Sequence, residues 1–206
     1  MLHPLTARRY QVSPGFTRAA DTVREIGRYI RQGAADPMVR SWALRLLAGE
    51  GVDGRDDEAV MSVLLHWTQR TLPYRRDIHA VETLQDVRAI LRGIQAGAPG
   101  GDCDDFDVLL GSLLLSVGIP VRIVTTSYDG KTWHHTYLDA YSRKRGWIPL
   151  DAAKETASIG WEQPGAIRRR VFDLSGRIVA DDVHAVPDGL SGVEYPCAPR
   201  RDGLFD

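Results

Sequence analysis

The sequence predicts an α+β protein in which N-terminal helices pack on an antiparallel β-sheet. Three observations carry that reading. Apolar residues recur at helical spacing up to Val117. Beyond Pro120 the period changes from 3.6 to 2 and β-branched residues take over, as in "VRIVTTS". The elements come as helices first and strands second, which points away from an alternating parallel α/β sheet.

Residues 1–13 read as an irregular arm. Ser13-Pro14 forms a helix start, with serine as cap and proline in the first turn. Ala20, Val23, Ile26, Gly27 and Ile30 then share a face, and Gly33 stops the helix. Asp36-Pro37 repeats the start signal, with Val39, Trp42, Ala43, Leu46 and Leu47 as the apolar face. "GEGVDGRDD" is a loop. A third helix over about 57–71 turns Val60, Val63, Leu64 and Trp67 inward, and Pro73 ends it. "TLQD" from Thr83 is a capping-box pattern for a fourth helix carrying Leu84, Val87, Ile90 and Leu91. The glycine-rich "GIQAGAPGG" is a loop.

The segment "GGDCDDFDVLLGSLLLSVGIP" is marked at both ends. Phe106, Leu109, Leu110, Leu113, Leu114 and Val117 recur at helical spacing. Gly118 is the usual residue just past a helix, and Pro120 forbids continuation. The helix therefore starts at Asp102 or Cys103. Strands follow at "VRIVTTS", "TWHHTYLDAY" and "GWIPLDA". "RRRVFDLSGRIVAD" is a further hairpin turning at Ser175-Gly176. These readings divide the chain into a helical extension (1–55), a core (56–185) and a coil or tail (186–206).

Composition excludes several classes. The chain has 206 residues, 43% hydrophobic and 26% charged, with net charge −1. That is ordinary for a globular protein, with no global field toward nucleic acid or membrane. Six arginines in residues 1–35 against Asp21 and Glu25, and the run Arg168-Arg169-Arg170, are read as solvated faces. A protein assembly partner docking on the basic N-terminal region is the other reading. Two cysteines, Cys103 and Cys197, are too few for a disulfide framework, so both are expected reduced, in a cytoplasmic setting. No signal-peptide pattern opens the chain, and no apolar run approaches membrane-spanning length. Cys197, between Pro196 and Pro199, reads as an exposed thiol without function.

Cys103 is different. At the first turn of a helix, unpaired N–H groups and the positive dipole end favour an anion, so a thiol there ionises more readily. The same N–H groups can stabilise an oxyanion beside the sulfur. Asp102, Asp104 and Asp105 suit a helix start but repel a thiolate, so a working Cys103 needs a base held close. "WHHTYLDAY" offers one. Alternation puts His135, Tyr137 and Asp139 on one side of the strand and His134, Thr136 and Leu138 on the other. Only one histidine can face the helix. Asp151, ending the apolar "GWIPL", is placed to hold an imidazole in one tautomer. Cysteine, histidine and aspartate so arranged are nucleophile, base and orienter.

These blocks resemble the transglutaminase-like superfamily, a branch of the papain-like cysteine hydrolase fold. "GDCDDFDVLLGSLLLSVGIPVRIV" resembles its nucleophile block, "HTYLDAY" its histidine block and "GWIPLDA" its aspartate block, in the same order. "LLHWTQRTLPYRRD" resembles the helix and Tyr-containing turn upstream, so the likeness covers about residues 57–155. It assigns catalysis to Cys103, His135 and Asp151, which lie 32 and then 16 residues apart. Tyr137 stands where the family usually has tryptophan, and Ala152 where it usually has proline. No glutamine or tryptophan is assignable as a side-chain oxyanion donor, and Trp67 and Trp133 are candidates by type only.

The resemblance implies thiol-dependent acyl transfer on an amide bond of a peptide or protein, with no cofactor and no metal. Water as acceptor gives a cysteine peptidase or amidase, an amine gives a transglutaminase, and hydrolysis is favoured. The likeness extends to small proteins of bacteria and their phages, which admits virion association. The alternative is a catalytically idle transglutaminase-like domain acting as a binding or structural module in a larger assembly. Calcium at the aspartate run is rejected, because an EF-hand loop counted from Asp102 needs glycine and glutamate where Asp107 and Leu113 stand. Capping is preferred for those acids, with an ion pair to Arg122 as another role. Zinc on the cysteine, histidine and aspartate lacks a short ligand-spacing pattern.

Overall fold

The computed structural model describes residues 8–11, 19–75 and 81–183. Helices α1 (Ala19–Ala34), α2 (Pro37–Gly49), α3 (Asp57–Thr71) and α4 (Val87–Gln95) surround a central helix α5 (Cys103–Ser116). Strands β3 (Val121–Ser127), β4 (His135–Ser142), β5 (Gly146–Leu150), β6 (Arg168–Phe172) and β7 (Ile178–Val183) form an antiparallel sheet in the order β5-β4-β3-β6-β7. A second, two-stranded sheet pairs β1 (Arg8–Gln11) with β2 (Val81–Leu84). The fold is α+β, as the order of helical and alternating patterns predicts.

Most of α5 is buried, Phe106, Leu109, Leu110, Leu113 and Leu114 among it, because helices cover it on several sides and β4 on another. Each such leucine contributes about 1.5–3 kcal/mol. Gly111 is needed where α5 meets α1 and β4, since a Cβ there would sit 2.7 Å from Ile30 and 3.2 Å from Leu138. Val23, Ile26 and Ile30 of α1 and Val39, Ala43 and Leu47 of α2 share this core with the sheet residues Ile123, Leu138, Ala140, Leu150 and Phe172. Among the described residues no helix is long and apolar enough to cross a membrane.

Most boundaries fall where the local signals place them. Asp36 and Asp56 cap α2 and α3 by accepting backbone N–H bonds. Gly118 takes φ +92° just past α5, and the β6–β7 turn contains Gly176 at φ +83°. Three readings change. The capping box at Thr83 does not start α4: Thr83 lies in β2, and Asp86 is the cap, accepting from the Ala89 N–H at 2.8 Å. Residues 8–11 are a strand because β2 provides the hydrogen-bonding edge that a local reading of the arm lacks. The second strand begins only at His135, because Trp133 and His134 belong to the turn before it. Ser13-Pro14, Cys197 and the tail 186–206 lie outside the described residues.

Candidate active site

Cys103 is the first residue of α5 and is half-buried. Asp102 is its N-cap, extended at φ −96° and ψ −167°, and accepts from the Asp104 N–H. The loop ahead of the thiol is stitched to the turn after α3. The Arg75 N–H donates to the Gly101 carbonyl at 2.8 Å, the Gly101 N–H to the Pro73 carbonyl at 3.3 Å, and Tyr74 stacks on Phe106. Gly101 has no room for a side chain, since a Cβ there would lie 2.6 Å from that of Asp105.

Gln85 completes the clamp. Its side-chain amide donates to the Gly100 carbonyl at 3.1 Å and to Asp105 Oδ2 at 2.7 Å, while its backbone N–H donates to Asp105 Oδ1 at 2.8 Å. So Asp105 ties α5 to the segment before α4 rather than capping a helix. Asp107 reaches β4, where the Thr136 hydroxyl donates to its Oδ2 at 2.8 Å. Cys103 Sγ lies 3.8 Å from Asp104 Oδ1. Asp102 has the expected capping role.

His135 and Asp151 come together directly. The His135 Nε2–H donates to Asp151 Oδ2 at 2.7 Å, and both side chains are 1% exposed. Asp151 is itself held, because its Oδ1 accepts from the Ala153 N–H. The loop beyond it is anchored to α3 by Gln69, whose amide donates to the Lys154 and Ala157 carbonyls. In burial this dyad exchanges solvation for a charge-assisted hydrogen bond of fixed geometry.

The register of helix along strand places the thiol at the same end. Asp107 lies beside Thr136 and Gly111 beside Leu138. One helical turn and two strand residues both advance by about 5–7 Å. One turn back from Asp107, Cys103 is therefore about level with position 134, just before β4 begins at His135. Thr136 and Leu138 face α5, while His135, Tyr137 and Asp139 share the opposite face: alternation groups them as expected, but the expectation of a base facing the helix is not met, because His135 turns to Asp151 on the side of β4 away from α5.

The two histidines are separated by their partners. His134 turns into the β3–β4 turn, where its Nδ1 accepts from the Tyr128 N–H at 3.2 Å. Its Nε2 lies 3.0 Å from the Thr132 hydroxyl and 3.4 Å from Asp129 Oδ2. Both ring nitrogens thus serve the turn. Asp129 is drawn down to about 2: burial alone would raise it, but the Thr132 and Lys131 N–H groups and the Thr132 hydroxyl outweigh burial. Trp67 packs against the core beside Trp42, and Trp133 lies against Arg168 and Arg170.

A charged network underlies the imidazole. The His135 ring stacks on Tyr137, centroids 5.8 Å apart. The Tyr137 hydroxyl donates to Glu162 and accepts from Arg169 Nε at 3.2 Å. Arg169 also donates to Glu162 at 2.9 Å and to both oxygens of Asp139, and Arg122 donates to Asp139 as well. Arg122 therefore pairs with Asp139, not with the aspartate run. Burial pushes the Tyr137 phenol well above its ordinary value, so it stays a donor. Burial disfavours the Arg169 charge, yet Tyr137 and Asp139 outweigh it and hold the guanidinium charged. Sequence reasoning placed Asp139 on the His135 face but missed Gln85, Glu162 and Arg169. Their partners are distant in the chain, 20 residues away for Gln85, 25 for Glu162 and 32 for Arg169.

The comparisons with known proteins agree with this architecture. The family described as Transglutaminase-like superfamily matches residues 45–152, just over half of the chain. No curated protein matches the sequence significantly. Among solved structures, a candidate protease of Parabacteroides distasonis aligns with TM-score 0.56 and 14% identity over 85% of this chain and 32% of that one. The chain thus spans about a third of that protein. Legionella pneumophila LapG aligns with TM-score 0.40 and 16% identity, over 76% of this chain and 85% of that one. At 14% identity the likeness to the Parabacteroides structure is one of fold. From the family match and the fold together, the chain belongs to the transglutaminase-like superfamily.

Proposed function

We propose that the protein carries out thiol-dependent acyl transfer on an amide bond of a peptide or protein. Cys103 attacks the carbonyl, His135 takes and returns the proton, and Asp151 orients His135. The observation that carries this reading is the buried His135–Asp151 bond. It uses Nε2, so proton exchange with the thiol falls to Nδ1, and Asp151 stabilises the imidazolium that forms. The N-terminal position of Cys103 in α5 favours the thiolate and turns backbone N–H groups toward a developing oxyanion. The nearby carboxylates oppose the thiolate, which makes the imidazolium essential.

Attack forms a thioester and expels the amine with the proton from His135. Water then releases the acid and regenerates the thiol, whereas an amine acceptor leaves a new amide. Hydrolysis is the preferred outcome, in keeping with the protease description of the Parabacteroides structure. A mixed peptide pool incubated with the protein, with and without a dansylated primary amine, tests the reading by mass spectrometry. New peptide termini, or amine incorporated with loss of ammonia, are expected with wild type and absent with Cys103→Ala. Identical spectra for both proteins under all conditions would overturn it.

A further inference from the structure

We infer that Glu162 and Arg169 form, through Tyr137, a positioning network that fixes the His135 ring and balances the charge around it. The inference rests on the acyl-transfer reading above. Tyr137 stacks on the His135 ring and carries a hydroxyl at the far end of its buried side chain. That hydroxyl is almost fully buried and needs partners. It finds two, Glu162 and Arg169, and both lie beyond the family-matched residues 45–152. The segment after the aspartate block thus supplies the partners of a hydroxyl inside the histidine block.

The network is also electrically closed. Arg122 and Arg169 balance Asp139 and Glu162, with Asp139 nearly inaccessible between the two guanidinium groups. The titratable and charged groups on the elements around His135 include Asp151 after β5, Tyr137 and Asp139 on β4, Arg122 on β3, Arg168, Arg169 and Arg170 on β6, Glu162 on the loop joining β5 to β6, Cys103 with Asp102, Asp104, Asp105 and Asp107 at the head of α5, and His134 and Asp129 in the β3–β4 turn. Arg169 and Glu162 are the opposite charges that meet at the Tyr137 hydroxyl. Removing one leaves an uncompensated charge of known sign beside the ring on which His135 stacks. Loss of the positive charge makes thiolate formation at Cys103 harder, and loss of the negative charge makes it easier.

The test is the pH dependence of iodoacetamide labelling at Cys103, read by intact-protein and peptide mass spectrometry. Wild type, Arg169→Met, Glu162→Gln and Tyr137→Phe are compared, with melting temperatures recorded. Glu162 is 41% exposed at its side chain, so its replacement tests the network without hollowing the core. The acid limb should move up by about half a pH unit in Arg169→Met and down by a similar amount in Glu162→Gln. Tyr137→Phe should leave the limb in place and lower the rate several-fold, because it removes the tether but no charge. Variants that lose stability without moving the limb in opposite directions would make the network structural only and overturn this inference alone. A wild-type limb at the ordinary thiol value, about 8.5, would overturn the acyl-transfer reading and this one with it.

Discussion

The two faces of the five-stranded sheet are built by different physics. Toward α5, Ile123, Leu138, Ala140, Ile148, Leu150 and Phe172 form an apolar surface covered by helices. On the other face, Arg122, His135, Tyr137, Asp139 and Arg169 lie side by side, joined by hydrogen bonds and ion pairs. Alternation along each strand sends neighbours to opposite faces, so adjacent residues of β4 serve opposite ends. Leu138 stabilises the fold by burial. Asp139, next to it, is buried only because two arginines meet it. The first face determines whether the chain folds, and the second determines what His135 does once it has.

Substitutions that separate those two roles test the comparison. Asp151→Asn should reduce turnover of any accepted peptide by on the order of 10²-fold or more, because the amide cannot stabilise the imidazolium. Melting temperature should change little by comparison, and kcat/KM beside a thermal melt checks both. On the other face, Leu138→Ala should cost about 2–5 kcal/mol of stability through the cavity it leaves. Denaturant unfolding measures this, and the labelling rate of Cys103 per folded molecule should hold. If Leu138→Ala lost labelling without losing stability, the division between faces would fail.

Thr136 is where the faces meet, since it lies between His135 and Tyr137 yet points to α5. Its hydroxyl donates to Asp107 and is also 3.0 Å from the Val124 carbonyl. Thr136→Val should cost about 1–3 kcal/mol and lower Cys103 reactivity by a smaller factor than Asp151→Asn. Denaturant unfolding and labelling at one pH would show whether α5 is held in register by this bond.

The smallest effects come from surface carboxylates, which distinguish acid stability from the site's own titration. Asp173 is held at about 2, first by the Ser175 hydroxyl and then by the Arg177 and Ser175 N–H groups, and Asp129 is held at about 2 in its turn. Both lie below the unfolded carboxylate value of 3.8. Their stabilising contribution is therefore complete above about pH 4 and is lost as pH falls from there toward 2. Melting temperature followed from pH 6 to 2.5 should be flat at first and then decline. Asp129→Asn and Asp173→Asn should each flatten the decline.

The sequence made the framework legible where the signal is local. The length of α5, its stop at Gly118 and the switch of period after Pro120 all follow from nearest neighbours. The grouping of His135, Tyr137 and Asp139 follows from strand alternation, and of the three residues that the short blocks propose, the structure joins His135 to Asp151. What was illegible depends on contacts across the chain. Thr83 carries a valid capping signal, but tertiary pairing with residues 8–11 uses that segment as a strand and leaves Asp86 to cap. Asp105 and Asp107 read as helix-start acids because their partners, Gln85 and Thr136, lie 20 and 29 residues away. The histidine block selects His135 over His134, and what it does not show is the turn that engages both ring nitrogens of His134.

The central claim is that Cys103 and His135 act as a pair. The most direct measurement is the iodoacetamide labelling rate of Cys103 near pH 6, in wild type, His135→Ala and His134→Ala. The account predicts rapid labelling in wild type, a collapse in His135→Ala, and near-wild-type labelling in His134→Ala, whose ring nitrogens engage the β3–β4 turn. Slow labelling in all three, rising with the ordinary thiol value of about 8.5, would contradict it.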